Sequence, residues 1–201
     1  MGQRSTLDIP LFPLNAVLFP GGRLPLRVFE ARYMDMTRDC LRDEQPFGVC
    51  LIKQGKEVGE VAAPEDIGCL AHIVECDMQQ LGVLTLRAGG SLRFRVLKTQ
   101  ADKNGLLRAS AEPIAPEPDA PIPPKFLGCA NLLRLIAADD SKAHFDAPYR
   151  FDDAAWVGYR LTEALPVPLL AKQKLLELND PVVRLEILHR FLEQRGLLAS
   201  R

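Results

Sequence analysis

The residues of this sequence whose types could do chemistry are three histidines, five cysteines and a few paired carboxylates, and their spacing limits that chemistry. His72 falls in an apolar run, His144 in a polar stretch and His189 in an amphipathic one. None is read with a carboxylate or cysteine partner at ligand spacing, so each is taken as structural or surface rather than as a general base. The cysteines (Cys40, Cys50, Cys69, Cys76 and Cys129) form no CxxC pair, and their odd number without a secretion-type leader points to reduced thiols. Cys69 and Cys76 have opposite parity, which places them on opposite faces of a regular strand. HExxH is absent, and no metal site is expected. Asp139-Asp140 and Asp152-Asp153 stand at element boundaries, where capping of exposed amides explains them.

Phosphate and acyl chemistry lack their frameworks as well. The Gly55-Lys56 pair is followed by Glu57 and has no glycine at the upstream spacing of a phosphate loop. "GGSLR" around Ser91 lacks the closing glycine of a nucleophile elbow. No catalytic residue and no cofactor are therefore assigned, and the chain is read as a non-enzyme. Arg87, Arg93 and Arg95 could share one strand face and meet phosphates, which keeps an RNA-binding reading open. Against it stands a net charge of −1, from 25 Lys+Arg and 26 Asp+Glu, which gives no general pull toward nucleic acid.

These residues are carried by two differently patterned halves. The opening stretch, "DIPLFPLNAVLFPGGRLPLRVFEARYMDM", is apolar enough for a membrane. Pro10, Pro13, Pro20, Gly21, Gly22, Arg23 and Pro25 nevertheless break it below the roughly 20 apolar residues of a spanning helix. The polar start "MGQRSTLD" has no signal-peptide pattern, and a cytoplasmic protein is expected. "IPLFPL" and "LPLRVF" read as strands joined by the turn "FPGGR". A helix is predicted over residues 30–43, with Tyr33, Met36, Cys40 and Leu41 on one side. "PFGVCLIK", "GCLAHIVEC" and "LGVLTLRAGG" running into "SLRFRVLKTQ" read as further strands, with "QGKEVGEVAAPED" a polar loop. Leu92, Phe94 and Val96 are predicted on one face of the last strand. "DKNG" turns the chain back into "LLRASAEPI" as a tight hairpin.

The composition changes at "EPIAPEPDAPIPPKF", where six prolines in residues 112–126 predict a semi-rigid connector. Helical patterns follow in "KFLGCANLLRLIAA", "DDAAWVGYRLTEAL", "PLLAKQKLLEL" and "NDPVVRLEILHRFLEQRG". The last has Asp180 as N-cap, Pro181 at the first helical position and Gly196 past the end. Two subdomains are expected: a β-rich one over residues 1–115 and a helical one over residues 116–201.

Taken together, these segments resemble the amino-terminal substrate-binding domain of Lon-type ATP-dependent proteases. "IPLFPLNAVLFPGGRLPL" resembles that family's opening. Phe29, Glu30, Arg32 and Tyr33 resemble the FE-x-RY pattern of its shorter members. "FGVCLI", "DIGCLAHIVEC" and "GGSLRFRVL" resemble the strands that follow. Gln173, Leu176, Glu177, Asp180, Arg184 and Leu185 resemble the closing helices. The resemblance implies an α+β fold, a PUA-like β-barrel with one helix followed by a C-terminal α-helical bundle. It also implies a module that engages polypeptide, such as partly unfolded or hydrophobic protein segments, as an adaptor in protein quality control. The chain ends at Arg201, where the ATPase and Ser-Lys peptidase domains of the full proteases would begin. Proteolysis would then be a label borrowed from those proteins, and binding the transferable part.

Within that frame, Phe12, Leu14, Leu26 and Phe29 are expected in the core. Phe19, Pro20, Gly21, Gly22 and Arg23 are expected to expose part of a peptide-binding groove, because a glycine-rich crossover lets another backbone approach.

Overall fold

The computed structural model describes residues 6–59, 61–139 and 145–198, which leaves His144, Asp140, Glu60 and the opening five residues outside it. The chain forms two compact units, Met1–Pro116 and Glu117–Arg201. The fold is α+β, with a largely antiparallel sheet and five α-helices among the described residues.

The first unit holds β1 (Leu7–Leu14), β2 (Arg23–Val28), α1 (Ala31–Asp43), β3 (Phe47–Gln54), β4 (Ala63–Pro64), β5 (Ile67–Gln80), β6 (Val83–Ala101) and β7 (Leu107–Pro113). Pairing runs β1-β7-β6-β5-β3 in antiparallel steps, and β3 then returns to β1 in parallel, with Leu11 opposite Gly48 and Leu14 opposite Leu51. β2 adds to β6, and the short β4 adds to β3.

Alternation along each strand explains why the opening is so apolar. Ile9 and Leu11 point into one cluster with Cys50, Leu70, Phe94 and Ala109. Phe12 and Leu14 point into another with Tyr33, Met36, Phe47, Val49 and Leu86. A strand buried on both faces needs apolar residues at both parities. Gly48 and Gly68 give Phe94 its space, since a Cβ at either would lie 2.6 or 2.7 Å from the tip of that ring.

Bulges set which residues face which cluster. Cys69 pairs with Arg93 but Ala71 with Gly90, so β6 carries one extra residue near Ser91. Its parity flips there: Leu86 and Ala88 face the cluster that holds Tyr33, whereas Phe94 and Val96 face the one that holds Ile9 and Leu11. Leu92 does not join Phe94 and Val96, contrary to the alternation read from sequence; it is exposed. β5 carries its own extra residue at Val74, between Ile73 opposite Ala88 and Glu75 opposite Arg87. The parity argument for Cys69 and Cys76 fails at that bulge. The turn after β6 spans residues 102–106 rather than two residues, with Gly105 at φ +81° and Asn104 Oδ1 accepting from Leu106 N at 3.0 Å.

The second unit holds a 3₁₀ turn (Pro124–Phe126), α2 (Leu127–Ala137), α3 (Ala154–Ala164), α4 (Leu169–Glu177) and α5 (Pro181–Gln194). Asp153 Oδ1 caps α3 by accepting from Ala155 N and Trp156 N at 2.8 and 3.2 Å. Asp180 Oδ1 caps α5 from Val182 N and Val183 N at the same two distances, and Gly196 ends it at φ +64°. Leu185, Leu188 and Leu192 are buried with Leu133, Val157 and Leu161. Much of the proline-rich run is built into this unit. Ala120 O accepts from Ala154 N, Ile122 N donates to Asp152 O, and Ile122 and Phe126 are buried.

Candidate functional site

The crossover "FPGGR" is a tight turn. Gly22 N donates to Phe19 O at 2.9 Å, with Pro20 and Gly21 between and Gly21 at φ +72°. Proline and then glycine at these positions is what a type II turn requires. The turn is fastened to β6: Gly21 N donates to Gly90 O at 2.9 Å, and Gly90 N donates to Gly22 O at 3.0 Å. A Cβ at residue 90 would lie 2.2 Å from Phe19 O, so the approach depends on glycine there.

This fastening reverses the exposure expected from sequence. Phe19 is 0% exposed, Gly22 is buried, Pro20 and Arg23 are half-buried, and Gly21 alone of the five is exposed. Phe29, expected in the core, is 53% exposed just ahead of α1. Phe12, Leu14 and Leu26 are buried. The five crossover residues lie together, but Phe19 presents no ring to a ligand.

The rest of the FE-x-RY segment anchors the start of α1. Arg32 is buried, pairs with Glu30 at 2.9 Å and donates to Gly105 O at 3.1 Å. Tyr33 stacks on Phe12 with ring centroids 4.1 Å apart, and burial pushes its phenol pKa up.

Beside this anchor an apolar groove of about 500 Å³ opens between α1 and the β5–β6 hairpin. Met34 and Leu41 line it from the helix, and Cys76, Met78 and Leu84 from the hairpin. Asp35 and Arg38, an ion pair at 3.0 Å, stand at its helical wall. The bulge at Val74 is what turns Cys76 and Met78 toward α1. Leu41, read on the same side of the helix as Tyr33, is exposed and lines this groove, whereas Tyr33 is buried. None of the five lining residues was singled out from sequence as a binding residue. Their available signal is a helix stripe one residue too wide, together with methionine and leucine in an otherwise polar hairpin.

The arginines do not form a basic face. The extra residue near Ser91 puts Arg87 on the opposite side of β6 from Arg93 and Arg95. Arg87 pairs with Glu75, Arg93 is 3% exposed opposite the buried Cys69, and Arg95 is exposed. His189 does have a partner, contrary to the sequence reading: its Nδ1 lies 3.4 Å from Glu193 Oε2, one helical turn on, with its ring against Phe126. His72 is exposed on β5. Among the described residues, no three His, Cys, Asp or Glu side chains gather as they would around a metal ion, and no helix is long and apolar enough to cross a membrane. All five cysteines are free. Burial pushes the Cys40 thiol up to about 11 and the Cys129 thiol up to about 12, which leaves them protonated near neutrality.

Residues 8–194 match the family of ATP-dependent protease La (LON) substrate-binding domains. A Lon N-terminal domain protein from Xanthomonas campestris has a crystal structure that superposes with a TM-score of 0.78 at 38% identity, covering 92% of this chain and 98% of that one. The N-terminal domain of a Mycobacterium avium complex Lon protease superposes at 0.67 with 15% identity, covering 93% and 98%, which shows likeness of fold. Lon protease from Anaeromyxobacter dehalogenans (strain 2CP-C) and Lon protease 2 from Myxococcus xanthus are each 35% identical over 92 residues. That match covers 45% of this chain and 11% of each relative.

Proposed function

Because the chain belongs to the family of ATP-dependent protease La (LON) substrate-binding domains, we propose that it is a non-catalytic polypeptide-binding module, acting as an adaptor in protein quality control in the cytoplasm. The closed ring of strand pairings is taken as a PUA-like β-barrel, and the second unit as a helical bundle. The observation that carries the reading is the groove of Met34, Leu41, Cys76, Met78 and Leu84. Methionine-rich apolar surfaces adapt to many partners because the thioether chain is flexible and polarizable. Each apolar side chain that a bound segment buries there contributes about 1.5–3 kcal/mol before ordering costs, which gives sequence-tolerant binding.

The test is anisotropy of a labelled, permanently unfolded protein titrated with the full chain and with Leu41→Ser and Met78→Ser. Both positions are roughly half exposed, so melting temperatures should hold while affinity falls about tenfold for the pair. Unchanged affinity in both variants would overturn the assignment. Arg87, Arg93 and Arg95 do not share a face, so the feature that favoured the RNA reading is lost.

A further inference from the structure

We propose that the outer edge of β5, over residues 74–80, takes up an extended polypeptide as an added strand, one whose apolar residues alternate with lysine or arginine. This rests on the polypeptide-binding reading above and specifies its geometry. β5 is 14 residues long, but β3 pairs with it only at Cys69, Leu70 and Ala71. From His72 onward its strand partner among the described residues is β6 alone. An unpaired strand edge offers main-chain donors and acceptors at peptide spacing, and an extended backbone is the ligand that satisfies such a row. One of these donors, Met78 N, is held by the carboxylate of its own neighbour Asp77 at 2.8 Å, a contact that an incoming carbonyl can replace.

The two faces of the edge then set the sequence that fits. Cys76 and Met78 face the groove under α1, so alternate side chains of an added strand would enter it. Asp77 lies on the opposite face beside Glu75, which already pairs with Arg87, so the intervening side chains would meet the Asp77 carboxylate. Directly opposed charges on neighbouring strands stabilise when opposite and destabilise when alike. A basic residue there is favoured. A second copy of the same edge, bringing its own Asp77, is opposed. The bulge at Val74 and the Asp77 charge are devices of the kind that keep natural edges from pairing with themselves. They select against self-association and leave the apolar-basic strand as the occupant.

The experiment uses the full chain and a labelled heptapeptide of alternating leucine and lysine. Three companions are a leucine-glutamate version and two versions N-methylated on either alternate set of amides. Binding of the parent peptide is expected, with about tenfold loss for the glutamate version and for one methylated set but not the other. Amide exchange at residues 74–80 should slow on binding. If the parent binds and Leu41→Ser weakens it, but both methylated sets bind equally and exchange is unchanged, strand addition is overturned and the groove reading stands. If neither peptide nor unfolded protein binds, both readings fall. Dimerisation of the free chain through β5, seen by light scattering and lost on Met78→Pro, would also overturn the proposal.

Discussion

Arg184 and Glu117 meet as a buried ion pair, with Arg184 donating to both carboxylate oxygens at 2.5 and 2.8 Å and neither side chain more than 3% exposed. The pairing is satisfied on every side. Arg184 also donates to Leu175 O and Leu178 O, its guanidinium lies over the Tyr159 ring at 4.0 Å, and the Tyr159 hydroxyl donates to Glu117. One residue of the proline-rich run is thereby tied to α3 and α5. Replacing Arg184 by Met leaves a buried carboxylate without its cation and should destabilise the chain by about 3–5 kcal/mol. Combining it with Glu117→Leu should cost much less than the sum of the two changes. Urea unfolding of both single variants and the double variant checks this; additive losses would show that the pair is not coupled.

The close approach of the crossover to β6 makes a second prediction. Gly90→Ala places a methyl against Phe19 O, a backbone atom that cannot swing aside, and should cost about 1–3 kcal/mol or more. Gly21→Ala keeps the space but strains a φ of +72°, for a loss of about 1–2 kcal/mol. Thermal melting of the two variants should rank them in that order.

What the sequence made legible follows from the range of the interactions. Caps at Asp153 and Asp180, the Gly196 terminus and the strand runs depend on neighbours a few residues away, and the residues show them. The burial of Phe19 depends on Gly90, which lies far along the chain on another strand. Whether Arg93 faces water depends on one extra residue near Ser91 that shifts the register with β5. No local pattern carries either fact. The groove was hidden for the same reason, since the Val74 bulge alone turns Cys76 and Met78 toward α1.

Glu163 predicts a pH dependence. Its carboxyl accepts from Arg160 Nη2 at 3.1 Å and forms an ion pair with Arg160 Nε at 2.8 Å, and Lys172 Nζ donates to its backbone carbonyl. Burial outweighs the opposing pulls of Arg160 and Lys172 and pushes the carboxyl up to about 7 from an ordinary 4.5. The folded state thus holds this proton more tightly than the unfolded chain. The contribution is fully present below about 4.5 and is lost as pH rises through about 7. Melting temperatures of the parent should carry this falling component between those limits. Glu163→Gln should remove it, and identical pH profiles for the two proteins would refute the assignment.

Thiol reactivity gives a local probe of the groove. Cys76 is exposed and the other four cysteines are buried, so a thiol reagent should modify one equivalent quickly and the rest only on unfolding. Burial, and then the nearby Asp77, raise the Cys76 pKa. The thiolate is the reacting form, so the fast rate should climb steeply into the alkaline range. A bound apolar segment should slow that phase. Two or more fast equivalents in the folded protein would contradict the burial pattern.

The position of Glu117 also predicts where the two units can be separated. The composition change alone suggests a connector over residues 112–126, yet Pro113 closes β7 and Ile114 N donates to Arg93 O. Glu117 is already held by Arg184, and Ala120 and Ile122 are bonded to the start of α3. We therefore expect the separable point at residues 115–116, and early protease cuts within the proline-rich run rather than inside residues 82–111. A fragment of residues 117–201 should melt cooperatively with helical circular dichroism. A fragment beginning at Pro121 lacks Glu117, leaves Arg184 buried without its carboxylate, and should be less stable by about 3–5 kcal/mol. If the longer fragment shows no cooperative transition, or the shorter melts at the same temperature, the second unit does not owe its integrity to this pair.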